Sequence, residues 1–520
     1  MTPAAGAEWG GPGARIASPE AHLASCGLPP ERAIRRLREA RLWAPEGPEP
    51  GTLELIDLIS DAASPEDALV VITDLAAHHP GLFSSVRAED AWMRRLIAVA
   101  GASRPLGDLL ARHPDVLEGL REPVPVDAAA VASQVATALC DDADLPTSAA
   151  AVAKIRRGTT AAIAARDLTG AADLEDTARD LARLAEGVLS GALATLHAHI
   201  VGERPAARVA VIGMGKLGGE ELNYVSDVDV MFVHEPAAES DAEAAREAQQ
   251  VCLALLQLLN ASTTMGRAYE VDATLRPEGR DGPLSRTLHS YVAYWERWAD
   301  TWEFQALLKA RPVAGDRELG ARLIAAAEPF VFPERLAPEI VSEVRDMKGR
   351  VESKAEVQRD AQRQLKLGPG GIRDIEFAVQ LLQLVHGRAD PSVRERSTLG
   401  ALSALARGGY VANDDAATFA DAYRWLRSIE HRLQLSAERR THTLPSDPQQ
   451  LERLARSLGY RADGQRPARE AFLARLRAVQ GEVRNLHAKL FYRPLLEMHA
   501  RVPASDAAIV RERFAEEAGL

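Results

Sequence analysis

Cysteine is scarce: Cys26, Cys140 and Cys252 are the three in 520 residues, and no two form a CxxC pair. That excludes a disulfide framework and a zinc site built on paired thiolates, and it fits a reducing cytoplasmic setting. Long apolar runs are lacking too. No stretch approaches the roughly 18 apolar residues of a membrane span, and the first 20 residues lack a basic start followed by an apolar core. Neither membrane insertion nor export is expected. A basic excess is also missing, since the formal charge is −12. Nucleic-acid binding draws its affinity from clustered Lys and Arg, so a protein or small-molecule substrate is expected instead.

What is present is apolar content of 46%, ample for roughly two to four domains, with Ala, Arg and Leu favouring helix over strand. The pattern divides into a flexible N-terminus (1–25), a helical lobe (26–125), a catalytic domain (126–330), a C-terminal helical bundle (331–498) and a tail or linker (499–520). The expected class is α+β and predominantly helical. A β signal is confined to three short stretches, RVAVIG from Arg208, DVDVMFV from Asp227 and EVDATLR from Glu270. EAAREAQQVCLALLQLLNAS lies between the second and third and is long enough to cross over a small sheet.

Asp227 and Asp229 stand at i and i+2 on an expected strand, so their side chains share one face, opposite Val228 and Val230. The third strand is expected to put Glu270, Asp272, Thr274 and Arg276 on one face, which lets Asp272 join the pair. Three converging carboxylates repel one another, and a hard divalent cation such as Mg²⁺ or Mn²⁺ offsets that cost. Two such ions about 3.5–4 Å apart serve in-line displacement at phosphorus. The cluster therefore points to metal-dependent phosphoryl or nucleotidyl transfer.

Gly218 and Gly219 precede the acids and are expected to bring backbone donors close to a phosphate at the start of a short helix from Glu220 to Val225, with Ser226 adding a hydroxyl. Gly213, Gly215 and Gly218 also spell a dinucleotide fingerprint after a strand. Only eight residues separate Gly218 from Asp227, too few for the helix and turn of that motif, and its second strand would bury both acids unpaired. Lys309 and Arg311, with Arg276 and Arg280, are the candidate phosphate-binding cations. Tyr291, Tyr294, Trp298 and Trp302 read as a stripe buried against the sheet. Downstream, GPGGIRDIEF opens a helix whose Arg373, Asp374 and Glu376 can face the metal site. No histidine has metal-ligand spacing.

GMGKLGGEELNYVSDVDVMF, EVDATLRPEGRDGPL, WEFQALLKARPVAGD, GPGGIRDIEF and HRLQLSAERRTHTLP closely resemble the glutamine synthetase adenylyltransferase/adenylyl-removing family, over roughly Ala102 to Pro494. The resemblance implies a polymerase β-like nucleotidyltransferase sheet flanked by helices, with helical-bundle lobes. Members are tandem proteins carrying one GxGKLGGxEL…SDxD motif in each half, and this chain has one. Its surroundings look like the N-terminal, adenylyl-removing half. By that resemblance Asp227, Asp229 and Asp272 hold the metals, with Asp374 and Glu376 as further candidates. Phosphate attacks the adenylyl-tyrosine of adenylylated glutamine synthetase and releases ADP. The PII signalling protein is implied as a regulatory partner. AMP transfer from ATP in the forward direction is the nearest rival, and a silent module binding glutamine synthetase or PII is another.

Overall fold

The computed structural model describes residues 18–139, 144–202, 204–237, 240–334, 363–464 and 466–499, with side chains to 491. It is mostly helical with one small mixed sheet, a nucleotidyltransferase-type α+β fold. Residues before 18 and after 499, where flexible ends were expected, lie outside the described part. Within the expected flexible N-terminus of 1–25, Pro19–Ser25 is a helix capped by the Ser18 side chain, with Leu23 fully buried.

Local chemistry sets the helix ends. Proline occupies the first turn of the helices starting at Pro19, Pro30, Pro65, Pro80, Pro114 and Pro448, where a missing N–H costs nothing. Ser64, Asp173, Ser240 and Asp447 cap their helices by accepting a backbone N–H three residues on. The Leu174–Val201 helix is long and apolar enough to cross a membrane, contrary to the sequence expectation, but half of its apolar window is buried inside the protein. It packs against the Ala128–Ala138 helix and the edge of the sheet. It is a core helix of this fold.

Beside a short hairpin, β1 (Trp43–Ala44) with β2 (Gly47–Pro48), the described residues contain a five-stranded sheet. Its strands are β3 (Ala207–Gly213), β4 (Asp227–Pro236), β5 (Glu270–Asp272), β6 (Ser285–Thr287) and β7 (Arg311–Gly315). β3 is antiparallel to both β4 and β7. The Asp241–Asn260 helix crosses from β4 to β5, which pairs with β4 in parallel, and β6 continues along the same edge. The sequence suggested three strands. β6 and β7 are three and five residues long, too short and too polar at their ends to show a period.

β5 also stops at Asp272, so Thr274 and Arg276 lie in a turn and do not extend its face. The expected aromatic stripe is likewise broken. Tyr291 is buried and donates to the Phe232 carbonyl at 3.0 Å, whereas Trp298 is 74% exposed beyond the end of the Leu288–Trp295 helix.

One hydrophobic core runs from Leu23 through the N-terminal helices to the sheet face bearing Val228, Val230 and Phe232. A second fills the C-terminal bundle from Leu365 to Leu490. The third joins the other sheet face, including Met231 and Val233, to Tyr291, Trp295 and the Phe377, Leu381 and Leu384 side of the Ile372–His386 helix. Asp227 and Asp229 belong to that same odd-numbered face, one turn of pleat before it becomes apolar. The GGIRDIEF helix is thereby held directly across from them.

Candidate active site

In the parallel β4–β5 pair Asp227 stands level with Glu270, and Asp229 with Asp272. Level residues in a parallel pair project to the same side, so the carboxylates meet. Asp227 and Asp229 line a cleft of about 310 Å³, whose other walls include Lys216, Lys309, Lys366, Arg373 and Glu376. Asp272 lines the adjoining depression, with Asp227 on the boundary between the two. Burial raises the Asp229 pKa to about 6, helped by the charges of Asp272 and Asp227 and opposed by Lys366 and Lys216. Partly buried carboxylates that also repel one another are a donor set that suits a hard divalent cation.

The backbone turn after β3 brings a helix close to the acids. Gly215 sits at φ 49°, and a Cβ there would lie 2.7 Å from Asp229 Oδ2. The short helix is Gly215–Gly218, with residues 220–225 irregular, so it lies earlier than the sequence suggested. Its shift changes the role of the glycine pair. The Gly218 and Gly219 N–H groups donate to the Met214 and Gly215 carbonyls, and a Cβ on Gly218 would approach the Lys309 carbonyl oxygen to 1.9 Å. These glycines permit close backbone packing, and the cleft wall is formed by Gly215 and Lys216. Ser226 lines the cleft, and its hydroxyl donates to the Asp227 carbonyl at 3.0 Å.

The candidate cations separate into two groups. Lys309 and Arg373 reach the cleft, where Lys309 is paired with Glu221 and lies 2.9 Å from Thr398 Oγ1, and Arg373 rests over the Phe377 ring. Arg311 does not reach it: Glu186 holds it at 2.8 Å, under the sheet. Arg276 binds the carbonyls of Ala273, Gly282 and Pro283, closing the loop after β5, and lines the depression beside Asp272. The two downstream acids also diverge. Glu376 faces the cleft, where Lys309, Lys366, Lys216 and Arg373 hold its pKa down against burial. Asp374 turns back to accept the Gly370 N–H at 2.7 Å and fastens the GPGG loop.

Several cleft residues went unnoticed in the sequence. Lys216 and Lys366 supply positive charge, and burial depresses the Lys216 pKa to about 7 despite Glu430 at 3.8 Å. Glu430 is fully buried between Lys216, Arg427 Nε at 3.2 Å and His442 Nδ1 at 2.6 Å, and these neighbours hold its pKa well below the carboxylate range. Arg440 reaches across and pairs with Asp227. A signal did exist. Arg427, Glu430, His431 and Gln434 recur at the three- and four-residue spacing of a helix core face, and all four are buried in the Asn413–Ala437 helix. Polar residues at core spacing mark a buried network.

Comparison with known proteins fits this geometry. Residues 93–326 match the glutamate-ammonia ligase adenylyltransferase family. That segment contains β3 to β7 and every acid of the Asp227, Asp229 and Asp272 cluster. Residues 340–491 match the GlnD PII-uridylyltransferase model. The chain is similar to proteins named bifunctional glutamine synthetase adenylyltransferase/adenylyl-removing enzyme. The one from Streptomyces coelicolor is 45% identical over 89% of this chain and 46% of its own length. That from Streptomyces avermitilis is 43% identical over 96% and 50%, and that from Mycobacterium tuberculosis 44% over 78% and 40%. The chain spans about half the length of the curated relatives it matches.

Proposed function

We propose that this chain is a metal-dependent nucleotidyltransferase that removes AMP from adenylylated tyrosine of glutamine synthetase by phosphorolysis, giving ADP and the free tyrosine. The observation that carries the reading is the level placement of Asp229 with Asp272, with Asp227 and Asp229 facing a cleft lined by five lysine and arginine side chains. The relatives' names support glutamine synthetase as the protein substrate, and the motif surroundings resembling an N-terminal half support removal over addition.

Asp227, Asp229 and Asp272 would hold one or two Mg²⁺ or Mn²⁺ ions, which supply charge neutralisation at the transferring phosphorus and activate the entering oxygen. Lys216, Lys366 and Arg373 bind the two anions that must meet, inorganic phosphate and the phosphodiester, and hold them in line. Glu376 occupies the centre of that basic set and sets how tightly an incoming anion is held. Trp302, 39% exposed at the cleft wall, offers a flat face for the adenine or tyrosine ring. Asp374 positions the loop and takes no direct part.

The second reading is AMP transfer from ATP to the same tyrosine, since the acids serve either direction. A silent module that only binds glutamine synthetase or the PII protein is the third. We assign the protein to the cytoplasm, on its cysteine usage, with no nucleic-acid partner. Incubation with adenylylated glutamine synthetase, Mg²⁺ and phosphate is expected to release ADP. No ADP, together with AMP incorporation from ATP, would reverse the direction, and neither reaction would leave the silent module.

A further inference from the structure

Away from the catalytic cleft, the N-terminal lobe brings an imidazole, a thiol and a carboxylate to one point. The Pro19–Ser25 helix ends at Cys26, whose N–H donates to the His22 carbonyl at 3.0 Å. His22 and Cys26 are therefore one helical turn apart, on one face. They form a mixed pair, outside the CxxC and HxxxH patterns. Gly27 at φ 75° and the Leu28 N–H, which donates to the Leu23 carbonyl at 3.0 Å, stop the helix there and fix the thiol at its end. Facing this pair is Asp57, on the Thr52–Ser60 helix. Both helices are held from beneath, since Leu23, Ile56 and Ile59 are fully buried. The backbone under all three side chains is thus set by the core.

His22 Nε2 lies 2.9 Å from Asp57 Oδ1, and Cys26 Sγ lies 3.9 Å from the first and 4.0 Å from the second. Tetrahedral zinc, with bonds of about 2.0–2.3 Å, separates its ligand atoms by about 3.3–3.6 Å, so each side of this triangle needs to change by about half an ångström or less. The Asp57 side chain, 61% exposed, has room to make the adjustment. An ion pair accounts for His22 with Asp57. It does not account for a thiol almost equidistant from both. Burial, with the charges of Asp57 and Asp61, pushes the Cys26 thiol above its ordinary pKa. Surroundings that disfavour a bare thiolate in this way favour one neutralised by a cation. Imidazole nitrogen, thiolate sulfur and carboxylate oxygen together suit a borderline-soft ion with no geometric demand of its own, whereas Mg²⁺ or Ca²⁺ takes oxygen alone.

We propose that His22, Cys26 and Asp57 form a Zn²⁺ site, with water as the fourth ligand, that clips the Pro19–Ser25 helix to the Thr52–Ser60 helix. Binding forms the sulfur–zinc bond and sends the thiol proton to solvent. The test titrates the reduced, metal-free 520-residue chain with Co²⁺, whose thiolate-to-metal charge-transfer band reports sulfur ligation and stays silent for a carboxylate site. A single equivalent is expected to develop the band, and Zn²⁺ to bleach it by displacement. Asp229→Asn, in the catalytic cleft, is expected to keep the band, and Cys26→Ser to lose it. His22→Gln is expected to weaken Co²⁺ binding at least about tenfold, with the far-ultraviolet dichroism unchanged. Amide hydrogen exchange over residues 19–28 is expected to slow with Zn²⁺ in wild type and to stay as it was in Cys26→Ser. No band at millimolar Co²⁺, a band that survives Cys26→Ser, or full affinity in His22→Gln would overturn the site. Displacement by Zn²⁺ without slowed exchange would overturn the clip.

Discussion

Asp229 stands level with Asp272 on adjacent parallel strands, and the nearness of that second carboxylate helps burial push the Asp229 pKa up to about 6. In the absence of a cation the fold holds like charges together at a cost. On the reading proposed above, that cost favours a divalent metal, because positive charge entering between the acids relieves the repulsion.

Asp229→Asn tests this directly. The substitution removes one of the three like charges with little change of shape. Turnover with Mg²⁺ is expected to fall at least about a hundredfold. The metal-free variant is expected to melt above metal-free wild type at pH 7.5, and Mg²⁺ is expected to raise its melting temperature less. A variant that melts lower without metal and still responds fully to Mg²⁺ would show that Asp229 is not part of the ion site.

The pH dependence of stability follows from the same group. Its pKa is about 6 in the folded protein against 3.8 for the ordinary side chain. Between those values the folded state keeps a proton that the unfolded chain has released. This contribution is therefore fully present below about pH 4 and lost as the pH rises through 6, on the order of 3 kcal/mol in all. Urea titrations of metal-free protein at pH 4.5 and 7 should show the loss in wild type and a smaller one in Asp229→Asn. Added Mg²⁺ should restore stability at pH 7 and do little at 4.5.

Glu430 is expected to matter more to folding than to chemistry. It is fully buried between Lys216, Arg427 and His442. Glu430→Gln removes the nearest counter-charge of two buried basic groups, leaving Glu376 and Glu221 to act on them from farther off, at a cost of roughly 3 kcal/mol. The check is the urea midpoint, with the unfolding slope unchanged.

The cations can be sorted by kinetics. Lys366→Gln is expected to raise the phosphate KM about tenfold or more, because Lys366 lines the cleft. Arg276→Gln should alter the phosphate KM little and lower thermal stability, since its guanidinium is engaged by the carbonyls of Ala273, Gly282 and Pro283. Equal effects of the two substitutions on KM would place Arg276 in the anion site.

The placement of Asp227, Asp229 and Asp272 on adjoining strands was legible in the sequence because strand periodicity fixes the face a residue takes. The Asp241–Asn260 crossover and the helix after GPGG were legible for the same kind of reason, as was the excess of helix. β6 and β7 were not, since SRT has no apolar residue and RPVAG carries proline and glycine, so neither shows an apolar alternation. Nor was the fate of each charged side chain. Arg311 and Lys309 are two residues apart, yet Glu186 takes one and the cleft the other, and Asp374 and Glu376 divide in the same way.

What the sequence determined by itself was local: which residues alternate, where helices start, and that three acids could project from neighbouring strands to one side. What only the tertiary structure decided was which distant groups close around them. Lys216, Lys366, Arg373, Arg440 and His442 come from segments up to 226 residues apart. Their meeting depends on the core that packs the sheet against the Ile372–His386 helix, and on a buried ion network in the Asn413–Ala437 helix. Periodicity specifies the face of one element, and only packing specifies which face it meets.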